Sequence, residues 1–509
     1  MSRWRLEVFA LIILGLAALA AGIRETPLVD WDEALYAEVA HEAIEHDSYL
    51  KFTWNNEAYV KKPPLLFWMI IASFKTFGEQ AWAARLPSVA AGIGTLLLLY
   101  LSAAAVGGRL AGLCAGVIPL GFYFFVARGG RECATDSLLT FFSTLAIFAL
   151  TRARSDRRVL WIAGAACGLA ILSKGLAGLI PLTVIGISCL FVPGFVAIGV
   201  SGPMLVIAVA TAVAAPWFVF QAVSNGALFW AIFVKQETLF RIVTHLEANP
   251  NRESYTLRAF SRETRYLWVL LLPLAGLVIG AAIRGARTSL RQVPPAVMVW
   301  ALWLALGLIS AGAVQTKLGW YILPALLPVA LLAGCILGAS LKAAAPMREP
   351  VTALATVAMI VLIAKAPARW EKIQKSFEDE RARSRPSYVL GTRAHAMSVA
   401  QGAQELFFVG EELPTLVYYS GLHVHFVPIS HGAGFALINL NSTPTAVADH
   451  QLVMLDQSGA ASVVGNLGDE WNLSGPPEER DPLAAKPDDD AARMSVENES
   501  PPSLIPNRD

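Results

Sequence analysis

Several short stretches of the chain carry side chains that could do chemistry at a membrane surface. Val29-Asp30-Trp31-Asp32-Glu33-Ala34-Leu35-Tyr36-Ala37-Glu38 would place Asp32, Tyr36 and Glu38 close together on a short helix, with Glu33 beside them. A carboxylate next to hydrocarbon can act as a general base, because partial desolvation raises its pKa. The bland alternative is capping, in which an Asp at a helix start contributes about 1 kcal/mol. In Tyr59-Val60-Lys61-Lys62-Pro63-Pro64 two lysines precede a stiff double proline, which fits them to a phosphate or to snorkelling among headgroups. Arg128-Gly-Gly-Arg131-Glu-Cys-Ala-Thr135-Asp136-Ser137 puts Asp136 at the head of an apolar run, where capping is again the alternative. Lys174-Gly175 and Lys317-Leu-Gly-Trp320-Tyr321 add a lysine at two further span ends. Charges at span ends avoid the ~2.5–3.5 kcal/mol cost of the bilayer centre, so each alone is ordinary. Together, two acids and several cations converge on one surface.

The elements that must position these groups are membrane helices. Of 509 residues, 55% are hydrophobic and only 16% charged, against about 25% charged in a soluble chain. Lys plus Arg is 40 and Asp plus Glu is 39, so nothing suggests a nucleic-acid partner. No CxxC spacing occurs, which leaves no cysteine metal site or disulfide framework to expect. Apolar runs fall at 7–23, 86–107, 110–127, 135–151, 159–173, 176–192, 196–222, 267–283, 294–312, 319–340 and 350–366. Each is near the ~17–25 residues that span a bilayer, giving an α-helical polytopic membrane protein of about 11–13 transmembrane helices. The first run could also be read as a signal peptide, but it serves equally as a first span.

Segment 65–78 is apolar but short and contains Lys75, and reads as an interfacial or re-entrant helix. With that choice Arg3, Arg5, the 152–158 basic loop, Arg284 to Arg291 and Lys342 to Arg348 share the cytoplasmic side. The N-terminus is then inside, and the C-terminus and loops 24–85 and 223–266 are periplasmic. The cations of loop 223–266 suit either an anionic ligand or anionic headgroups. We expect a transmembrane domain over 1–367 and a small periplasmic α/β domain over 368–474. Its strands lie at 405–410 and 423–428, with a helical turn over 415–419 between them. A disordered tail over 475–509 follows.

The order Asp-Glu-x-x-Tyr-Ala-Glu (32–38), Lys-Pro-Pro-Leu (62–65), Gly-Glu to Arg-Leu-Pro (78–87), Thr-Asp-Ser (135–137), Lys-Gly (174–175), Ala-Pro-Trp (215–217) and Lys-x-x-x-Tyr-x-x-Pro (317–324) resembles the C-type polytopic (GT-C) glycosyltransferases. Within them it is similar to the aminoarabinose–lipid A transferases and protein O-mannosyltransferase-like enzymes, over about 1–340. The resemblance implies transfer of a sugar from a polyprenyl-phosphate (undecaprenyl-phosphate) donor to a lipid or protein acceptor at the periplasmic face of a bacterial inner membrane. It also implies that Asp32 and Asp136 are the acidic catalytic positions, and that Lys62, with Arg241 and Lys317, meets the donor phosphate. Glu33, Tyr36, Lys61, Lys174 and Tyr321 are candidate substrate contacts, and a monomer is expected. Lys61 stands where the aminoarabinose transferases carry a Glu attributed to a metal site, so a divalent ion is an open question. The alternative function is a transporter or flippase for a lipid-linked glycan, which predicts ionisable groups and broken helices at mid-membrane. An assembly scaffold that docks through the tail domain is a third.

Overall fold

The computed structural model describes residues 3–243, 255–270, 293–316, 318–341, 348–401, 405–409 and 412–427, and four strands at 436–440, 443–447, 451–455 and 461–466. Lys317, most of the apolar run 267–283 and the expected tail 475–509 lie outside the described residues. Helix dominates because a backbone in hydrocarbon must satisfy its own polar groups. Among the described residues, Ala81–Gly107, Val159–Phe191, Ser201–Ser224, Pro295–Ala313 and Gly319–Ala339 are long and apolar enough to cross a bilayer.

Val159–Phe191 is two passes rather than one. Helix Val159–Lys174 ends at Gly175, whose φ of +55° is open to a residue without Cβ, and Leu179–Phe191 then runs back. A Cβ on Gly178 would lie 2.4 Å from the Ala170 carbonyl carbon, and one on Gly194 would lie 3.3 Å from the Arg154 guanidinium. Only an antiparallel hairpin brings both pairs together, and it matches the separate runs expected at 159–173 and 176–192. Helix Val159–Lys174 also packs on Ser201–Ser224 through small residues. Cβ atoms on Gly164 and Gly168 would strike Val209 and Val213 at 2.6 and 2.7 Å. Small-residue seams of this kind replace the hydrophobic drive that lipid does not supply.

The run expected as a straight span over 110–127 is instead bent. Arg109–Gly121 and Tyr123–Arg131 meet at 87°. Pro119 lacks the N–H that would continue the helix, so the chain tightens into a 3-10 turn over Ile118–Gly121. Leu65–Phe77 has 13 residues, about 20 Å of helix, which is short of a ~30 Å hydrocarbon core. It buries Phe67, Ile70 and Phe74 in a cluster shared with helix Asp32–Glu45. At the far end of the bundle Glu7 pairs with Arg109 and accepts from Tyr100 at 2.6 Å.

Arg348–Gln401 is one helix of 54 residues, so the change of composition at 367/368, expected as a domain boundary, marks no break in the backbone. Beyond it lies a four-stranded sheet in the order 423–427, 405–409, 451–455, 461–466. The first two strands are parallel and joined by helix Pro414–Ser420, and the others are antiparallel. This is the α/β arrangement read from the sequence. The module rests on the first loop. Asn55, at the tip of the hairpin Thr53–Trp54/Glu57–Ala58, exchanges two 2.8 Å bonds with the Val424 backbone. Trp54 stacks on Phe426 at 6.4 Å.

Candidate active site

Helix Asp32–Glu45 begins after Trp31, which holds φ 69° and ψ −117°. No side chain caps this helix, nor helix Thr135–Arg152, so capping accounts for neither Asp32 nor Asp136. Asp32 instead pairs with Arg128, carried in by the bent limb Tyr123–Arg131. Arg128 also reaches Glu132 at 3.1 Å and lies 4.2 Å over the Trp320 ring. Burial pushes the Asp32 carboxyl up, but Arg128 and Lys62 together outweigh it, with a bond from Tyr36, and hold it at about 2. Buried Tyr36 and Tyr59 are pushed well above the usual phenol range by burial and then by Asp32. Asp32 is therefore an anion at any physiological pH, and both phenols stay protonated.

Lys62 immediately precedes the stiff double proline and donates from its Nζ to Glu237 Oε2 at 2.7 Å. Glu237 sits on the wide-turned helical stretch Trp230–Phe240 and also accepts from Arg241 at 3.2 Å. Burial raises the Glu237 carboxyl, and Lys62 and Arg241 more than cancel that. Arg241 donates to the Tyr321 hydroxyl at 3.3 Å. Its backbone carbonyl takes the Thr316 N–H at 3.1 Å, which ties this stretch to the segment before Tyr321. Asp136 and Lys174 pair at 2.5 Å, with the ammonium 5.4 Å from the centre of the Tyr321 ring.

Several of these groups line a cleft of about 210 Å³. Lys61, Lys62, Lys174 and Arg241 line it together with Asp136 and Glu237, and Leu139, Ile180, Phe233, Val314 and Pro324 form apolar walls. Asp32 adjoins the cleft through Lys62 and Arg128. The structure thus brings together Asp32, Tyr36, Lys61, Lys62, Asp136, Lys174, Arg241 and Tyr321 from six separated stretches.

Glu33 is a correction. Expected as a substrate contact, it is 3% exposed and turned away from the cleft. Its oxygens take Arg85 Nε at 2.8 Å and Nη2 at 2.5 Å, with the Val29 and Cys133 N–H groups. One residue along a helix is about 100° of rotation, which is enough to send Asp32 and Glu33 into different surroundings. Arg128, Glu237 and Trp320 are members that sequence reasoning left out. Arg128 stood in a quoted motif, whereas Glu237 carried no signal beyond its four-residue spacing from Arg241.

Among the described residues no three His, Cys, Asp or Glu side chains are grouped to hold an ion, and Lys61 occupies the position where the resemblance expects a Glu.

Residues 61–220 match the family described as dolichyl-phosphate-mannose-protein mannosyltransferase. An undecaprenyl phosphate-alpha-4-amino-4-deoxy-L-arabinose arabinosyl transferase of Pseudomonas aeruginosa (strain LESB58) is 29% identical over 310 residues, 60% of this chain and 54% of the relative. The protein of that name from Aeromonas salmonicida (strain A449) is 26% identical over 340 residues, 65% of this chain and 59% of the relative. The chain spans little more than half the length of the curated relatives it matches. Among solved structures, ArnT from Cupriavidus metallidurans bound to undecaprenyl phosphate superposes with a TM-score of 0.64 at 19% identity, covering 84% of this chain and 86% of that one. That likeness shows the fold. By sequence the chain is similar to the dolichyl-phosphate-mannose-protein mannosyltransferase family over residues 61–220 and to the aminoarabinose transferases over about 60% of its length, and it shares the fold of the Cupriavidus structure.

Proposed function

We propose that the protein transfers a sugar from a polyprenyl-phosphate donor to a hydroxyl of a lipid A-like or protein acceptor at the periplasmic face of the inner membrane. The observation that carries this reading is the cleft itself, in which four cations and apolar walls meet beside an ionised carboxylate. An anionic headgroup on a long hydrocarbon tail has that pairing of charge and grease. The Pseudomonas and Aeromonas relatives are named for an undecaprenyl-phosphate donor, and the Cupriavidus structure is described as bound to undecaprenyl phosphate. Both support the donor class.

In this mechanism the tail lies along the apolar wall, and the phosphate meets Lys62 and Arg241, with Lys174 close by. Asp32 accepts the proton of the acceptor hydroxyl as its oxygen attacks the anomeric carbon. With a pKa of about 2 it is a poor base at rest. A phosphate that draws Lys62 away, and adds its own negative charge nearby, raises that basicity at the moment of need. Lys62 and Arg241 then stabilise charge growing on the leaving phosphate, worth about 3 kcal/mol for a well-placed donor. A single displacement inverts the anomeric centre. Asp136 fixes Lys174 against Tyr321.

The transporter reading predicts broken helices at mid-membrane. The bend between Arg109–Gly121 and Tyr123–Arg131 delivers Arg128 to Asp32 of the first loop instead. The test is transfer in proteoliposomes supplied with polyprenyl-phosphate sugar. Asp32→Asn should cost roughly 10²–10⁴-fold in turnover while carrier binding persists, and Lys62→Ala should weaken both. Full transfer by both variants refutes the assignment.

A further inference from the structure

The stretch that delivers Asp32 is held on both sides. After it, Glu33 is locked to Arg85. Before it, Asp30 is bonded to parts of the chain more than 350 positions away. Its Oδ1 takes the Thr415 N–H at 2.9 Å, its Oδ2 the Ser387 hydroxyl at 2.6 Å, and its N–H donates to Ser384 Oγ at 3.1 Å. Two residues earlier, the Leu28 N–H donates to the Tyr419 hydroxyl at 2.8 Å. Ser384 and Ser387 are 4% and 2% exposed, so these partners are themselves fixed.

Trp31 lies between the two anchors at φ 69°, in the left-handed half of backbone space. Its side chain is 54% exposed, so little packing of its own accounts for that conformation. A residue other than glycine stays there only where its surroundings over-determine it. The flanking bonds do so, and they set the direction in which Asp32 leaves the chain.

We infer that Asp30 is a positioning residue for Asp32, and that the long helix Arg348–Gln401, through Ser384 and Ser387, and the C-terminal module, through Thr415, are part of the active-site framework. The inference rests on the proposed role of Asp32. It gives the module a task in the reaction without any contact to donor or acceptor.

The test uses the full chain in proteoliposomes with a polyprenyl-phosphate sugar, and measures binding of sugar-free polyprenyl phosphate separately. Asp30→Ala should lower turnover about 10- to 100-fold, the usual cost of a reacting group displaced by about an ångström, with carrier affinity within about two-fold. Ser387→Ala, a milder change, should lower turnover about 3- to 10-fold in the same pattern. Asp30→Ala combined with Ser387→Ala should be no worse than Asp30→Ala alone, and adding Asp30→Ala to Asp32→Asn should cost nothing more, because residues acting through one group are not additive. Unchanged turnover in Asp30→Ala, equal losses of turnover and carrier affinity, or additive losses with Asp32→Asn would overturn the inference. Full transfer by Asp32→Asn would instead remove the reading of the site on which it depends.

Discussion

Asp32 and Glu33 are neighbours in the chain, and both pair with an arginine, yet they belong to two regions built differently. Behind the first loop the Arg85 guanidinium gives hydrogen bonds to both Glu33 oxygens, to the carbonyls of Ile23, Thr26 and Pro27, and to the Thr26 hydroxyl. Glu33 takes two backbone N–H groups besides. Donors and acceptors are used up there, and both side chains are 5% exposed or less. At the cleft, the Asp32, Lys62 and Lys174 side chains keep 18% to 35% of their surface open. A lysine holding one carboxylate still has two protons to give. Scaffold and site use the same charged residues here and differ in how much hydrogen-bonding capacity is left over.

Three perturbations would break or sharpen that contrast. The largest effect belongs to the closed region. Glu33→Gln leaves a buried guanidinium without its counter-charge and should cost about 3–5 kcal/mol, read as a large drop in the thermal midpoint of the detergent-solubilised protein. A midpoint that barely moves would mean that the closed pair is no fastener.

Glu38, on the same helix, is a third case, a buried acid with no cation bonded to it. Its Oε2 has no hydrogen-bond partner among the described residues. Burial pushes its carboxyl up to about 8, with His41 pulling down and Glu42, Glu45 and Glu79 adding to the rise. The folded state therefore holds an extra proton between the ordinary carboxylate range and about pH 8, and stability falls as pH rises through that window. His41, itself raised by Glu38 and Glu79 against the pull of burial, acts in the same direction. Thermal midpoints from pH 5 to pH 8 should decline in the parent protein and decline less in Glu38→Gln. Equal slopes would place the titration elsewhere.

The smallest effect tests the open region. Glu237 occupies the cations that we assign to the donor phosphate. Glu237→Gln should tighten polyprenyl-phosphate binding about five-fold, near 1 kcal/mol, at little cost in stability. Weaker binding would show that Glu237 aims Lys62 and Arg241 rather than competing for them.

Much of this arrangement was legible in the sequence. Lys62 before two prolines, Asp136 and Lys174 at span ends and Asp32 at a helix start announce themselves by type and place. The orientation of Asp32 against Glu33 was not legible, because both fit one acid-rich helix start and only the position of Arg85 separates them. Arg128 could not be ranked while 110–127 read as a straight span, since hydropathy does not register a turn at Pro119. Glu237 was invisible because its partner Lys62 lies 175 positions away. The bonds from Asp30 to Ser387 and Thr415 cross still longer separations, and short polar residues on a long helix give no sign of what they meet.

The right-angle turn between Arg109–Gly121 and Tyr123–Arg131 has a consequence for depth. A rod continuing along its first limb would leave the lipid before its cations could turn inward, or would drag them through the oily middle at ~2.5–3.5 kcal/mol each. Folding the second limb sideways carries Arg128 to Asp32 of the first loop. The corner acts as a shelf, holding a permanent positive charge against a carboxylate and an indole ring without asking hydrocarbon to solvate it.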